Sequence, residues 1–358
     1  MQFLWFSHLP WPEGIEPAQI FEDTTEQIQY AEELGFSSAW LAEHHFSRYG
    51  LGSSQLILAA KIAALTKRIR LGTAVLVPPL HHPIRLAEDI ATLDQVSGGR
   101  LEIGFGRGSS GYEYAGYSVS QAESQARYQE TITIVKGLWT TPDYSHQGQF
   151  YDFHHLNLVP PPLQKPHPPL YIAATRTPAT LEFVASSGHP ILVGVVLDHT
   201  AALDLCQRFI KMAGAAGHEM SMSRIPFFRY LYVAESAEQA RRDTREAMEW
   251  TQDMIQWRGT FSSGSEVHQR LDDFRRTRTS PPTSYEHIAE HRAFFGTPDD
   301  VTDKIRALQA EGVEYFGCNF AFGNMPHEKV MRSMELFAKE VMPKLQPEAT
   351  MIDGSLSR

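Results

Sequence analysis

Cysteine is scarce in this chain: Cys206 and Cys318 are the two among 358 residues. So far apart, they make neither a disulfide framework nor the C-x-x-C spacing of a zinc site. A reduced, cytoplasmic setting is the simplest expectation. Long apolar runs are missing too. Nothing approaches the roughly 20 residues needed to span a bilayer, and Ile191–Leu197 has only the length of a buried strand. Basic residues are outnumbered, 32 Lys and Arg against 42 Asp and Glu, for a net charge of −10. That balance argues against a nucleic-acid partner, which needs clustered cations. It equally disfavours a polybasic membrane anchor. Met1–His8 carries no basic stretch and no small-residue cleavage pattern, so it reads as a first strand rather than a signal peptide. No G-x-S-x-G element supports a nucleophile-elbow hydrolase.

What is present is an ordinary globular composition, 42% apolar and 21% charged. Strand-like and helix-like segments alternate. Candidate strands are Phe3–Ser7, Ala39–Leu41, Ile69–Val77, Arg100–Phe105, Leu170–Ala174, Ile191–Val196, Phe227–Val233 and Val313–Phe320. Between them lie helical periodicities with their own punctuation: Gly35 after the first, Pro83 opening the third, and Pro178 opening the fifth, Pro178–Ser187. Repeated β–α units with short links predict parallel strands. Eight of them predict an α/β fold, a (β/α)₈ TIM barrel, with a doubly wound sheet as runner-up. A proline-rich, hairpin-like excursion spans Gly148 to Pro169. A polar stretch from Phe261 to His291 breaks the rhythm before the last strand and reads as a mobile insertion. Residues 1–345 are expected to form one domain, and 346–358 a frayed tail.

Barrel chemistry collects where strands end. The second strand ends Glu43-His44-His45-Phe46. Neighbouring strand residues point opposite ways, so one histidine faces the barrel mouth and the other a helix or a second subunit. The fourth strand runs into Gly106-Arg107-Gly108-Ser109-Ser110-Gly111. This is G-x-G-x-x-G, but Tyr112–Tyr117 does not read as the helix a dinucleotide fingerprint should open. The glycines either let backbone approach a ligand, with Arg107 as a planar fork for phosphate, or form a flexible turn. After the fifth strand, Thr175-Arg176-Thr177-Pro178-Ala179-Thr180 combines hydroxyls with a helix start, a setting for an anion or simply an N-cap at Thr177. Two such loops point to one phosphorylated ligand between them. His287-Ile288-Ala289-Glu290-His291 matches H-x-x-E-H, yet its polar surroundings favour a solvated helix over a zinc site, and no metal is expected.

Glu43-His44-His45-Phe46 and its flanks resemble the bacterial luciferase-like flavin-dependent monooxygenases. The resemblance extends over roughly residues 1 to 345. It is carried further by His82–Asp89, Leu93–Leu101, Gly106-Arg107-Gly108, Gly296-Thr297-Pro298 and Ser333–Pro343. It implies a barrel that binds reduced FMN (FMNH2), supplied by a separate flavin reductase. The flavin reacts with O₂ to a C4a-peroxyflavin that oxygenates a small organic substrate. His44 falls on the family's catalytic histidine, and Arg107 on the residue pairing with the FMN phosphate. Ala174, Thr175, Arg176, Thr177 and Thr180 lie in the loop and helix start that complete that site. The Ala74–Val75 bond stands where the family has a non-prolyl cis peptide under the flavin ring. His45, His82 and Glu88 match residues near the luciferase subunit interface, implying a homodimer through helices two and three. Gly106 replaces a reactive cysteine of the luciferase catalytic subunit, which suggests a roomier pocket. The competing readings are a deazaflavin (F420)-dependent dehydrogenase or reductase on the same barrel and a non-catalytic flavin-binding partner subunit.

Overall fold

The computed structural model describes residues 1–173, 178–262 and 265–345. Eleven strands are formed there: β1 Gln2–Ser7, β2 Ser38–Leu41, β3 Arg70–Leu76, β4 Leu101–Phe105, β5 Tyr144–Gln147, β6 Asp152–Leu156, β7 Leu170–Ala173, β8 Ile191–Leu192, β9 Phe227–Val233, β10 Ala293–Gly296 and β11 Tyr315–Ala321. Nine make one parallel sheet in the order β10-β9-β11-β1-β2-β3-β4-β7-β8. Val193, just past β8, forms a parallel bridge to Phe227 of β9. The hydrogen bonds Val193 N to Pro226 O and Phe228 N to Val193 O, each 2.9 Å, secure it. The pairings therefore run round a ring, β1-β2-β3-β4-β7-β8-β9-β11 and back to β1, the (β/α)₈ barrel.

The barrel strands are largely buried on both faces, as parallel strands sheathed by helices must be. Leu4 and Phe6 of β1 point into the barrel with Trp40 and Phe228, whereas Phe3 and Trp5 pack outward against the helical layer. The interior interdigitates large against small residues. A Cβ at Gly72 would lie 2.1 Å from the Trp40 indole, and one at Gly317 would lie 2.0 Å from the Phe228 ring. These two glycines make room for the bulky layer that fills such a barrel. No helix among the described residues is long and apolar enough to cross a membrane.

The structure departs from the sequence expectations in three places. The hairpin after the helix Ser124–Thr140 starts earlier than Gly148, because Tyr144–Gln147 already pairs with Asp152–Leu156. Gly111–Gly116 is helical after all. Six residues are too few to display a helical period, and Tyr112, Glu113 and Tyr114 are all buried by tertiary contacts. The stretch before the last strand contains a further strand, β10, and the helix Pro298–Ala310. β10 pairs with the C-terminal half of β9 (Ala293 with Tyr230, Gly296 with Val233) while β11 pairs with its N-terminal half. The insertion itself folds into the short helices Leu271–Thr277 and Tyr285–His291. Buried Asp253 anchors it through Arg275 at 2.7 Å and through Arg278.

Candidate active site

The C-terminal ends of β1, β2 and β4 converge on His44. Alternation along the chain leaving β2 carries Trp40, Ala42 and His44 toward the barrel axis, and Glu43 and His45 to the other side. The His44 imidazole lies stacked at 5.9 Å from that of His8, which follows β1. Tyr49 meets both rings, 4.7 Å from His44 and 5.0 Å from His8. Asn319 of β11 donates its amide to His8 Nδ1 at 3.4 Å. Two groups of opposite charge reach His44. The Glu113 carboxylate, on the short helix Gly111–Gly116, lies 3.3 Å from Nδ1. The Arg258 guanidinium, at the end of the long helix Ala237–Arg258, lies 3.4 Å from that same atom and 3.9 Å over the Tyr49 ring. Burial lowers the pKa of His44, and Arg258 lowers it further against the opposing pull of Glu113. Burial likewise lowers that of His8 well below the ordinary imidazole range. Both contacts on His44 fall on Nδ1, so Nε2 is the nitrogen left to exchange a proton.

Behind this cluster sits a buried carboxylate hub. Glu43 accepts from His45 Nε2 at 2.9 Å, from His81 Nε2 at 2.9 and 3.0 Å, and from the Val77 amide at 3.1 Å. Gln55, first residue of the helix Gln55–Leu65, donates to Glu43 at 3.4 Å and to the Val75 carbonyl at 3.0 Å. These bonds hold the loop following β3, whose Ala74–Val75 peptide is cis. Burial alone would raise the Glu43 pKa. The hydrogen bonds from His45 and His81 outweigh it and hold the carboxyl at about 2.

The end of β4 supplies the third component. Arg107 donates from Nη1 to Ser124 Oγ at 3.1 Å, and Tyr114 donates its hydroxyl to the Arg107 carbonyl. The buried Nε of Arg107 has no hydrogen-bond partner among the described residues, and neither does the buried Gln125 amide nitrogen. Thr180, in the first turn of the helix Pro178–Ser187, donates to Gln125 Oε1 at 3.1 Å. A cation with an orphaned, desolvated N–H beside hydroxyls and a helix start is a donor set suited to a phosphate.

Of the residues singled out from sequence, His44 and Glu43 lie in the centre or its hub, Ala74 and Val75 are in β3, Gly106 and Arg107 follow β4, and Thr180 is in the first turn of the helix Pro178–Ser187. Ala174, Thr175, Arg176 and Thr177 lie outside the described residues. Gly106 does not enlarge the pocket as its missing side chain suggests. A Cβ there would fall 2.3 Å from Val75 Cγ2, so valine already fills that space. Of the three residues matched to a subunit contact, His45 is buried in its own chain. It is bonded to Glu43 and accepts from the Tyr117 hydroxyl at 3.2 Å, leaving only His82 and Glu88 with exposed surface. His287 of the H-x-x-E-H segment contacts Asp198 at 3.1 Å beside Arg292 at 2.5 Å, tying the insertion to the loop after β8. The large aromatics Trp5, Phe6, Tyr112 and Tyr114 are core. Phe46 is 42% exposed, and Trp250 lines a cleft of about 680 Å³ between the long helix and the insertion. Reading the sequence missed His8, Glu113 and Arg258. A lone acid between two aromatics, Tyr112-Glu113-Tyr114, was the one local signal available.

The imidazole–carboxylate–guanidinium cluster thus stands at the C-terminal mouth of the barrel, with the Arg107 loop two strands away, the end of such a fold where chemistry collects. The family model for luciferase-like monooxygenases matches residues 1–315, and the chain belongs to that family. It is 29% identical over 337 residues to the oxygenase component of a flavin-dependent trigonelline monooxygenase from Acinetobacter baylyi, covering 91% of this chain and 90% of that one. Among solved structures it superimposes on the monooxygenase RslO1 from Streptomyces bottropensis with a TM-score of 0.83 and 28% identity, covering 97% of this chain and all of the other. The oxygenating constituent of 3,6-diketocamphane monooxygenase from Pseudomonas putida, solved with FMN, shares the fold at a TM-score of 0.79 and 21% identity, covering 96% of this chain and 98% of that one.

Proposed function

We propose that the chain is the oxygenase half of a two-component system, using reduced FMN delivered by a separate flavin reductase, and O₂, to oxygenate a small organic substrate. The observation that carries this reading is the orphaned Nε of Arg107, buried beside Ser124 at the end of β4. Arg107 and Thr180, with Thr175, Arg176 and Thr177, would hold the phosphate, and Ala174 would join them. Ala74, Val75 and Gly106 would lie along the ring system. Reduced flavin supplies the electrons that activate O₂. The residues around it bind, orient and keep water from the reacting centre. His44 is the general acid/base, moving a proton at Nε2 while Nδ1 faces Glu113 and Arg258. A relative described as an oxygenase component supports a partner reductase.

The outer face of the helix Gln55–Leu65 shows large apolar side chains, Ile57 74% and Leu65 46% exposed, with Lys61 as its one charge. A helix of that kind is covered in the working protein. This supports a homodimer through it and the following helix Pro83–Val96, with His82 and Glu88 at the contact. The insertion 261–291 is read as a lid over the mouth, within one domain spanning 1–345 in a cytoplasmic protein.

Anaerobic mixing of the chain with reduced FMN, then O₂, tests the reading. Slowed flavin oxidation with formation of a long-lived absorbing species is expected, and kinetics equal to those of free flavin would count against it. His44→Ala should keep FMN binding and lose product formation by about 10²–10⁴-fold. Tight binding of F420 without affinity for reduced FMN would turn the assignment to the deazaflavin class. Turnover by the isolated chain with any flavin reductase would exclude a non-catalytic partner subunit.

A further inference from the structure

We propose that Arg258 is a positioning residue that sets the tautomer and charge of His44 in opposition to Glu113. The inference deepens the oxygenase reading, on which the role of His44 rests. Its geometric basis is that two groups of opposite demand address one nitrogen. Glu113 Oε1 lies 3.3 Å from His44 Nδ1, and Arg258 Nη1 lies 3.4 Å from it. A carboxylate can only accept, so Glu113 selects a proton on Nδ1. A guanidinium can only donate, so Arg258 selects a bare Nδ1 and sends the neutral ring's proton to Nε2. One nitrogen cannot satisfy both at once. Engaged by Glu113, neutral His44 presents a lone pair at Nε2 and is a base. Engaged by Arg258, it presents an N–H there and is an acid. Glu113 also favours the imidazolium, which carries both protons, whereas Arg258 repels it.

The remaining neighbours do not settle the contest. His8, stacked on His44, is held neutral by burial and by the adjacent His44 and Arg258. Tyr49 meets His44 edge-on and carries the Arg258 guanidinium on its face. His45 lies next in sequence, but its ring is committed to Glu43 and Tyr117. Glu113 itself is fixed by the His45 backbone amide at 3.1 Å. The moveable partner is therefore the arginine.

Its placement gives that mobility a purpose. Arg258 ends the helix Ala237–Arg258, and Gly259 follows as its cap. Phe261, where the insertion begins, packs edge-on against Tyr112 at 5.2 Å and Trp257 at 5.3 Å. Tyr112 precedes Glu113 and Trp257 precedes Arg258, so one ring steadies the neighbours of both competitors. The insertion also reaches the loop carrying Tyr49, because Arg48 donates to the Val267 carbonyl at 3.3 Å. Docking of the insertion thereby determines how closely Arg258 approaches His44.

The test is a proton and nitrogen NMR titration of the His44 ring in the full chain, without flavin or substrate, for the native protein, Arg258→Met, Arg258→Lys and Glu113→Gln. Arg258→Met should move the His44 titration upward by about one pH unit, roughly a tenfold gain in proton affinity, because a repelling cation is gone. The Nε2–H tautomer should lose population at the same time. Arg258→Lys should titrate near the native value, and Glu113→Gln should move it downward. Native-like titration and tautomer ratio in Arg258→Met would overturn the proposal. If Arg258→Met does not fold, Arg258→Gln takes its place, with the same expected rise and the same refuting result. Because no flavin is present, a failure here leaves the oxygenase reading to its own flavin-binding test.

Discussion

The buried carboxylate of Glu43 and the imidazole of His45, two residues further along the chain, meet at 2.9 Å, and His81 closes on the same carboxylate from the loop after β3. The Glu43 pKa is held near 2 against an ordinary value of 4.5. Its stabilisation is therefore present above about pH 4.5 and lost as pH falls through 2. His81 is shifted the other way. Burial would lower it, but Glu43 raises it above 6.5. Its contribution is complete below pH 6.5 and lost as pH rises through its folded-state value. Glu43→Gln should cost about 2–3 kcal/mol near neutrality and flatten both arms of the stability profile. Urea unfolding across the pH range measures this. An unaltered profile would show that the hub is not what holds the loop.

Arg107→Ala removes the proposed phosphate fork while leaving the barrel core untouched. Reduced-FMN affinity should fall by about 10–100-fold, the range expected for losing a charge-assisted pair. Anaerobic flavin titration gives the number, and the thermal midpoint should hardly move. Equal affinity in the variant would relocate the phosphate.

Gly106→Cys should destabilise the protein by roughly 1–3 kcal/mol, since the new Cβ collides with Val75 Cγ2. Pairing it with Val75→Ala should recover most of the loss. Thermal unfolding of the two single variants and the double variant forms the cycle. Simple additivity would mean that the two positions do not share space.

Limited proteolysis should cut first within 261–291, and more slowly once reduced FMN is bound. Asp253→Asn, which weakens the grip on Arg275 and Arg278, should accelerate cleavage severalfold. Identical digestion with and without flavin would deny the insertion a gating role.

Elements with their own punctuation were legible before the structure. Pro178–Ser187 opens on a proline, Phe227–Val233 is apolar and aromatic at every position but Arg229, and both match the structure end to end. Elements held by distant partners were not. Gly111–Gly116 is helical because Tyr112, Glu113 and Tyr114 are buried against other parts of the chain. The helix Pro298–Ala310 did carry a readable start. Thr297 and Asp300 form a capping box, visible as Thr-Pro-Asp-Asp. The same division runs through the site. His44 and Arg107 stand at strand ends, where a barrel concentrates chemistry, whereas Arg258 lies 214 residues from His44 on a helix with no local mark of function.

The Gln55–Leu65 helix joins two matters that are otherwise remote. Its opening side chain ties down the Val75 carbonyl, and two residues later Ile57 stands bare to solvent. Pressure applied from outside at Ile57 would thus pass through a single turn to the bed of the proposed flavin site. If the proposed dimer covers that face, diluting the protein until it dissociates should weaken reduced-FMN binding before the barrel unfolds.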